Sequence, residues 1–216
     1  FHQSSALRHG CPMTRIAVID FETTGMSPAY GDRLTEVAIA MTERGQVVDQ
    51  FQSLMNPGRY IPAFITELTG ISNAMVRQAP PVAQVMADAA RFVAQAPLVA
   101  HNASFDRKFW QAELSALGLP NAQPFACTVL LSRRLYPEAP NHKLGTLAGH
   151  LRLVREGRAH RALSDVLVTA GLLGRIQADL LERHHLPDAG HAVLCQLQQC
   201  SRAALGAWLK RQAGAM

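Results

Sequence analysis

Cysteine is scarce in this chain, and long apolar runs are absent. Its 216 residues include four cysteines, none of them in a CxxC pair: Cys11, Cys127, Cys195 and Cys200. Scattered thiols are typical of reduced cytosolic proteins, so we expect a cytoplasmic location, no disulfide framework and no structural zinc site. No apolar stretch approaches the roughly 20 residues that a membrane-spanning helix needs, so we expect no membrane partner.

The first twelve residues also lack something, namely the apolar core of a secretory signal. Met13 precedes the first periodic segment, so we expect residues 1–12 to be a cloning remnant or an unstructured leader. The apolar content of 48% is typical of a soluble globular protein. We expect a main α/β domain over residues 13–185, with residues 186–216 forming a helical extension packed on it.

Acidic residues are the minority among the charged residues. The chain has 16 Asp and Glu against 21 Lys and Arg, which gives a net charge of +5. A basic excess suits an anionic partner, although alone it is a weak signal. The segment RLVREGRAHR concentrates four arginines, Arg152, Arg155, Arg158 and Arg161. A solvated surface is the default interpretation of this arginine cluster, which becomes a phosphate-binding hypothesis only if it borders a catalytic site.

Hydrophobic periodicity predicts strands and helices in a mixed order. Strands are predicted over 15–20, 33–45 and 46–57, with a tight turn at Arg44-Gly45 and an antiparallel meander as the result. Two further strands are predicted over 97–102 and 125–128. Helices are predicted over 62–72, 81–96, 104–118, 128–136, 143–152, 162–185 and 190–212. This order favours one mixed sheet with helices on its faces.

The stretch AVIDFETTGMSP ends an apolar strand with two carboxylates, Asp20 and Glu22. Residues i and i+2 of a strand point to the same face, so these side chains are expected to lie side by side and repel each other. A cation is therefore expected between them.

Two more carboxylates are predicted near the starts of helices: Asp106 in HNASFD and Asp165 in HRALSD. Taken singly, an acidic residue in a first turn commonly just complements the helix dipole. The joint occurrence is more informative. D-x-E ends the first strand, H-N-x3-D stands at a later strand-to-helix junction, and H-x4-D enters a late helix.

These three motifs resemble those of the DEDDh 3′→5′ exonucleases, in the same order, over about residues 14–183. The family includes RNase T, oligoribonuclease and the epsilon proofreading subunit of bacterial DNA polymerase III. The resemblance implies an RNase H-like fold, a mixed five-stranded sheet flanked by helices. It implies that two divalent cations, Mg²⁺ or Mn²⁺, are bound by four ligands: Asp20, Glu22, Asp106 and Asp165.

By the same resemblance, His160 is the general base. Five positions on a helix turn through roughly 500°, so His160 and Asp165 would not share a helix face. We therefore expect His160 on the loop before the helix, leaning over the metal site. The sister subfamily carries Tyr-x3-Asp, and position 161 is Arg here, so the histidine class is the better match.

Substrate contacts are carried over from the family with less support from the residues themselves. The backbone around Thr23 is expected to meet the 3′-hydroxyl, and an apolar wedge against the last base is expected from Met26 and the segment with Leu68, Thr69 and Ile71. Phe105 is expected near the last sugar or base. For His101, a phosphate contact and a scaffolding role stay open. The arginine cluster leads into His160, and we expect it to bind the nucleic-acid backbone.

The leading hypothesis is a metal-dependent 3′→5′ exonuclease acting on single-stranded or mispaired DNA and releasing nucleoside 5′-monophosphates. An exoribonuclease resembling RNase T or oligoribonuclease is the first alternative. The second is a polymerase-associated nucleic-acid-binding module with secondary catalysis. An RNase H-fold endonuclease or transposase is disfavoured by the His-x4-Asp spacing. A polymerase or another replication or repair protein is a further expected partner, and both a monomer and a homodimer are compatible with the sequence.

Overall fold

The computed structural model describes residues 15–154, 157 and 159–214, so the predicted leader over residues 1–12 lies outside the described residues. The strands are β1 (Ile16–Thr23), β2 (Leu34–Glu43), β3 (Gln46–Leu54), β4 (Leu98–Ala100) and β5 (Phe125–Cys127). The α-helices are α1 (Ala63–Thr69), α2 (Asn73–Arg77), α3 (Val82–Val93), α4 (Ala103–Ala116), α5 (Thr128–Leu135), α6 (Leu144–His150), α7 (Ala162–Glu182), α8 (His191–Gln199) and α9 (Leu205–Ala213). A single 3-10 turn covers Pro28–Tyr30.

The five strands form one mixed sheet in the order β3-β2-β1-β4-β5. The pairs β1–β2 and β2–β3 are antiparallel, which confirms the predicted meander, and β4 and β5 continue the sheet in parallel. Arg44 and Gly45 connect β2 to β3 with φ values of 50° and 73°. Two consecutive positive φ values match the twist of a tight hairpin. The turn also lies against α7, where a Cβ on Gly174 would come within 2.7 Å of the Gly45 carbonyl oxygen.

Two hydrophobic cores cover the two faces of the sheet. Ile16 and Val18 of β1 pack with α7, whereas the alternating residues Ala17 and Ile19 pack with α3 and α4. This alternation is the period-2 pattern of a strand. Asp20 and Glu22 therefore continue the row that faces α7, as strand geometry predicted.

The C-terminal segment corrects one prediction, because the single helix expected over 190–212 is two helices. The chain turns away at Cys200, whose carbonyl oxygen accepts a hydrogen bond of 2.7 Å from Arg134 Nε. Ser201 then starts a new turn by accepting the amide of Ala204 at 3.2 Å. Propensity alone does not place this break, since the residues that fix it lie on α5.

Helix α8 packs on the edge of the sheet. The side-chain amide of Gln198 accepts from the Cys127 N–H at 2.7 Å and donates to the Phe125 carbonyl at 3.1 Å, so it satisfies backbone groups of β5. Leu194 and Leu197 are buried in the core beside α7. Among the described helices, none has both the length and the apolar character needed to cross a membrane.

Candidate functional site

Three carboxylates meet where β1 ends and α7 begins. One oxygen from each of Asp20, Glu22 and Asp165 lies within 4.8 Å of the others. Asp165 stands in the first turn of α7, and its Oδ2 accepts a 2.9 Å hydrogen bond from the backbone N–H of His160. The fold thus brings the end of the first strand next to the start of a helix that begins 139 residues later in the sequence.

Asp106 lies beside this group but deeper in the protein. It stands in the first turn of α4 and its side chain is buried. Its Oδ1 accepts a 3.2 Å hydrogen bond from the backbone N–H of Phe21, the residue between Asp20 and Glu22. Asp106 is therefore attached to the same stretch of β1 that carries the other two acids.

The acids disfavour one another's ionisation. Burial, followed by the charge of Asp106, raises the pKa of Asp20 well above its usual range. Burial, followed by the charge of Asp165, raises the pKa of Glu22 to about 8. Burial raises the pKa of Asp106 to about 7, although hydrogen bonds from backbone N–H groups oppose the rise. A negative cluster of this kind needs positive charge to stay ionised at neutral pH.

The donor set fits divalent cations of the hard type. All four groups are carboxylates, and Mg²⁺ and Mn²⁺ prefer oxygen ligands to thiolates or imidazoles. A cation held between these oxygens would also remove the repulsion that raises their pKa values. The residues present are therefore suited to the two divalent cations that the family resemblance implies.

The raised pKa values predict that metal-free protein loses stability as pH rises. Glu22 titrates near pH 8 when folded and near 4.5 when unfolded, so between pH 7 and 8 the folded state holds protons that the unfolded state has released. The free energy of unfolding should fall across this interval, and Tm in EDTA should be lower at pH 8 than at pH 7. Saturating Mg²⁺ should abolish the difference. A Tm in EDTA that stays constant or rises would contradict the charge assignment.

A fifth carboxylate, Glu36 of β2, completes the acidic face and was missed by sequence reasoning. It pairs directly with Glu22 in the β1–β2 register and is fully buried. Arg161 binds it with two hydrogen bonds of 2.9 and 3.1 Å, and the backbone N–H of Ala162 donates a third at 3.1 Å. A charged residue inside the apolar strand LTEVAIAM was the available signal.

Arg161 therefore has a structural role as the partner of Glu36, in addition to the contact with the nucleic-acid backbone that the sequence analysis expects of it. The bidentate contact with Glu36 raises the pKa of Arg161. It also holds Arg161 in place directly after His160. Of the other members of the arginine cluster, Arg152 is exposed just beyond α6, with a φ of 55°. Arg155 and Arg158 lie outside the described residues.

Replacing Arg161 by Gln should destabilise the protein by about 3 kcal/mol, because a buried carboxylate loses its counter-charge. Turnover should fall as well, since His160 is the adjacent residue. Urea unfolding and the rate of strand shortening measure the two effects. Arg15→Gln, which breaks the exposed pair with Glu43 on the same sheet, is the control and should change stability by less than about 1 kcal/mol. Unchanged stability with weaker strand binding would instead make Arg161 a backbone contact.

His160 lies on a bend immediately before α7, which is where its spacing from Asp165 predicted it. Its side chain is exposed, and its backbone has a φ of 59°. The hydrogen bond from its N–H to Asp165 fixes the bend at the edge of the acidic group. The backbone of His160 is thus attached to the acidic group, and its side chain is open to solvent.

The acids and the histidine match a known enzyme class. The sequence profile described as Exonuclease, RNase_T, matches residues 17–173. The chain belongs to the exonuclease family. The resemblance to the DEDDh class is thereby confirmed.

Curated relatives place the exonuclease domain within longer proteins. The chain is 40% identical over 190 residues to the 3′-5′ exonuclease DinG of Bacillus subtilis, covering 87% of this chain and 20% of that protein. It is 39% identical over 168 residues to the PolC-type DNA polymerase III of Streptococcus sanguinis, covering 77% of this chain and 11% of that one. The chain therefore spans a fifth or less of the length of these relatives.

Solved structures confirm the RNase H-like fold of the exonuclease domain. Exonuclease X, in complex with 5′ overhanging duplex DNA, is 27% identical with a TM-score of 0.64, over 83% of this chain and 98% of that one. The nuclease domain of 3′hExo, a DEDDh member bound to rAMP, is 22% identical with a TM-score of 0.65, over 78% and 94%.

The predicted substrate wedge is only partly available at the surface of the exonuclease domain. Met26 and Leu68 are 72% and 48% exposed, so both can meet a ligand. Ile71 is fully buried beside Ile65. Thr69 is also buried, and its hydroxyl donates to the Ile65 carbonyl at 2.9 Å. The expectation that the side chains of Thr69 and Ile71 contact the last base is therefore corrected. Both side chains are buried, Thr69 within α1 and Ile71 against it.

The turn after β1 is held rigidly. The Thr23 side chain is buried, and its hydroxyl bonds the Gly25 carbonyl. Asp32 accepts the N–H of Ser27 at 3.1 Å, and a Cβ on Gly25 would come within 2.5 Å of the Asp32 carboxylate. Only glycine fits there without displacing Asp32. The hydrogen bonds of Thr23 and Asp32 thus hold the backbone that was expected to contact the 3′-hydroxyl.

The environment of His101 supports the scaffolding role, one of the two roles left open. Its Nδ1 lies 2.9 Å from the Thr128 hydroxyl and its Nε2 lies 3.1 Å from the His142 carbonyl oxygen. Burial lowers its pKa to about 4, so the ring is neutral at pH 7. Nε2–H then donates to His142, and Nδ1 accepts from Thr128. Phe105 is partly buried and packs on Phe109 with ring centroids 5.1 Å apart.

Proposed function

We propose that this exonuclease domain removes nucleotides from the 3′ end of single-stranded or mispaired DNA, hydrolysing the terminal phosphodiester and releasing nucleoside 5′-monophosphates. One observation carries the proposal: oxygens of Asp20, Glu22 and Asp165 lie within 4.8 Å of one another, where β1 ends and α7 begins. Membership of the exonuclease family supports the reaction class. The name of the relative DinG, a 3′-5′ exonuclease, supports the direction.

Four carboxylates of this chain would hold two Mg²⁺ or Mn²⁺ ions: Asp20, Glu22, Asp106 and Asp165. When bound, such ions lower the pKa of an attacking water and neutralise charge on the departing oxygen. The hydrogen bond from Phe21 N–H to Asp106 and that from His160 N–H to Asp165 hold two of the four ligands in place. The protein thereby fixes the ligand oxygens before substrate binds, which limits reorganisation during the reaction.

His160 takes the proton from the attacking water in this proposal. Its side chain is exposed on the bend whose N–H bonds Asp165, and an imidazole is a common general base. The water oxygen forms a bond to phosphorus, its proton passes to a ring nitrogen of His160, and the bond from phosphorus to the 3′-oxygen of the preceding nucleotide breaks. The released nucleotide keeps the phosphate on its 5′ carbon.

The 3′-terminal nucleotide would be seated by the turn after β1. The backbone near Thr23 would contact the 3′-hydroxyl, with Met26 and Leu68 against the last base. Both side chains are exposed, and apolar contact with a base face is tolerant of sequence. DNA is favoured over RNA because one of the relatives is, by its printed name, a DNA polymerase. Association with a polymerase or another replication or repair protein is part of the same proposal.

The test compares 5′-labelled single-stranded DNA, single-stranded RNA and a mismatched primer–template, each with Mg²⁺, Mn²⁺ or EDTA. We expect a ladder that shortens one nucleotide at a time from the 3′ end of DNA, with either metal and not in EDTA. Faster shortening of RNA would support the exoribonuclease alternative. Internal cuts, or binding without cleavage, would contradict the proposal.

A further inference from the structure

A basic groove lies between α5, the segment before α6, and the connection from α8 to α9. Its volume is about 740 Å³. Seven residues line it: Leu130, Arg133, Arg134, Asn141, His142, Lys143 and Arg202. Arg202 lies beyond residues 17–173, so part of the groove comes from outside the segment that the family profile matches.

Three cations in this basic groove are available to an anion. Arg133, Lys143 and Arg202 are exposed, and within the described ranges no carboxylate oxygen lies within 4.0 Å of their charged atoms. Arg134 is different because it donates to two carbonyls, those of Cys200 and Leu130, each at 2.7 Å. Arg134 thus shapes the groove, while the other three provide unmatched positive charge.

The positive charges of the groove also act on the imidazole of His142. Its pKa is lowered by burial and then by the charges of Arg133 and Arg202. The ring is therefore neutral at pH 7 and able to donate one hydrogen bond.

The groove is joined to the catalytic site through His101. The carbonyl oxygen of His142 accepts from His101 Nε2 at 3.1 Å. His101 in turn precedes Asn102, the N-cap of the helix that carries Asp106 in its first turn. The wall of the groove and the catalytic carboxylates therefore share the β4–α4 connection.

We infer that this groove binds the phosphate backbone of a single nucleic-acid strand on the 5′ side of the terminal nucleotide, through Arg133, Lys143 and Arg202. The inference rests on the proposed function, since it concerns the same strand. Arginine and lysine recognise phosphate by charge-assisted hydrogen bonds, and the groove contributes no carboxylate that would repel it. Binding of this kind favours long strands over short ones and weakens with salt.

The test uses the triple variant Arg133→Gln, Lys143→Gln, Arg202→Gln in the full chain. A 5′-labelled 20-nucleotide DNA strand with a 3′-terminal phosphorothioate linkage is titrated at several salt concentrations. Because the variant has none of the three phosphate-binding cations, affinity at 0.1 M salt should fall about 100-fold, and the slope of log affinity against log salt should become shallower by about 2. The preference in kcat/KM for a 20-mer over a trinucleotide should also collapse.

A charge-matched control removes three arginines at the opposite end of the sheet: Arg15→Gln, Arg44→Asn and Arg91→Gln. This variant should bind the strand with the affinity of the wild type. Equal losses in both triple variants would overturn the inference, because net charge alone would then explain them. An unchanged salt slope in the groove variant would also overturn it and would leave the groove to an acidic protein partner. Failure of the proposed function is separate, since wild-type protein would then shorten no strand at all.

Discussion

Asp20→Asn is expected to abolish strand shortening. Without metal, the variant should also be more stable than the metal-free wild type. Activity should fall about a thousandfold or more, because one of the four proposed metal ligands loses its charge. Stability should rise because Asp20 is buried among other carboxylates, which raise its pKa well above its usual range. The amide keeps the shape of the side chain without its charge, so repulsion at the end of β1 is relieved.

Two measurements check this result. Single-turnover hydrolysis with Mg²⁺ gives the activity, and Tm in EDTA at pH 8 gives the stability. Asp49→Asn, which neutralises an exposed carboxylate of β3, is the matched control and should leave both nearly unchanged. Wild-type activity in Asp20→Asn would remove Asp20 from the metal site. A lower Tm in EDTA would show that the carboxylate is favourably paired rather than crowded by like charge.

His160→Asn reduces turnover about 100- to 10,000-fold while metal binding remains. This is the range in which a positioned general base contributes to proton transfer. Asparagine is a suitable replacement because His160 has a φ of 59°, a left-handed conformation that Asn tolerates better than most residues. The four carboxylates are unchanged, so the increase in Tm on adding Mg²⁺ should persist.

His150→Asn provides the control, since His150 is also an exposed histidine, at the end of α6. It should retain wild-type turnover and the same response to Mg²⁺. Unchanged turnover in His160→Asn would remove the residue as the base. Loss of the Mg²⁺-dependent increase in Tm would show instead that His160 supports the bend that positions Asp165.

Local signals predicted much of this fold because they depend on neighbours in the chain. Gly70 ends α1 with a φ of 74°, and the Ser72 side chain accepts the Met75 N–H at the start of α2, which are the usual places of glycine and serine at helix ends. The period-2 rule placed Asp20 and Glu22 on one face of β1 without knowledge of any other strand.

Other features depended on partners far away in sequence. The break between α8 and α9 is fixed by Arg134, which lies 66 residues before Cys200. Arg161, which was expected at a nucleic acid, also binds Glu36, which lies 125 residues before it. Spacing along the chain carries no information on such pairs, since they form only when the strand order and the helix packing are set.

By itself, the sequence determined the order of the five strands and of the helices other than α2 and the separate α8 and α9. It also determined the side-by-side placement of Asp20 and Glu22, and the set of acids and histidine typical of a DEDDh exonuclease. Only the tertiary structure decided that Thr69 and Ile71 are buried and that His101 is held between Thr128 and His142. It also brought Arg202 to the basic groove beside α5. The physical reason is one of range. Backbone dihedrals and side-chain period act over a few residues, whereas burial and charge pairing are properties of surfaces that meet only in the folded chain.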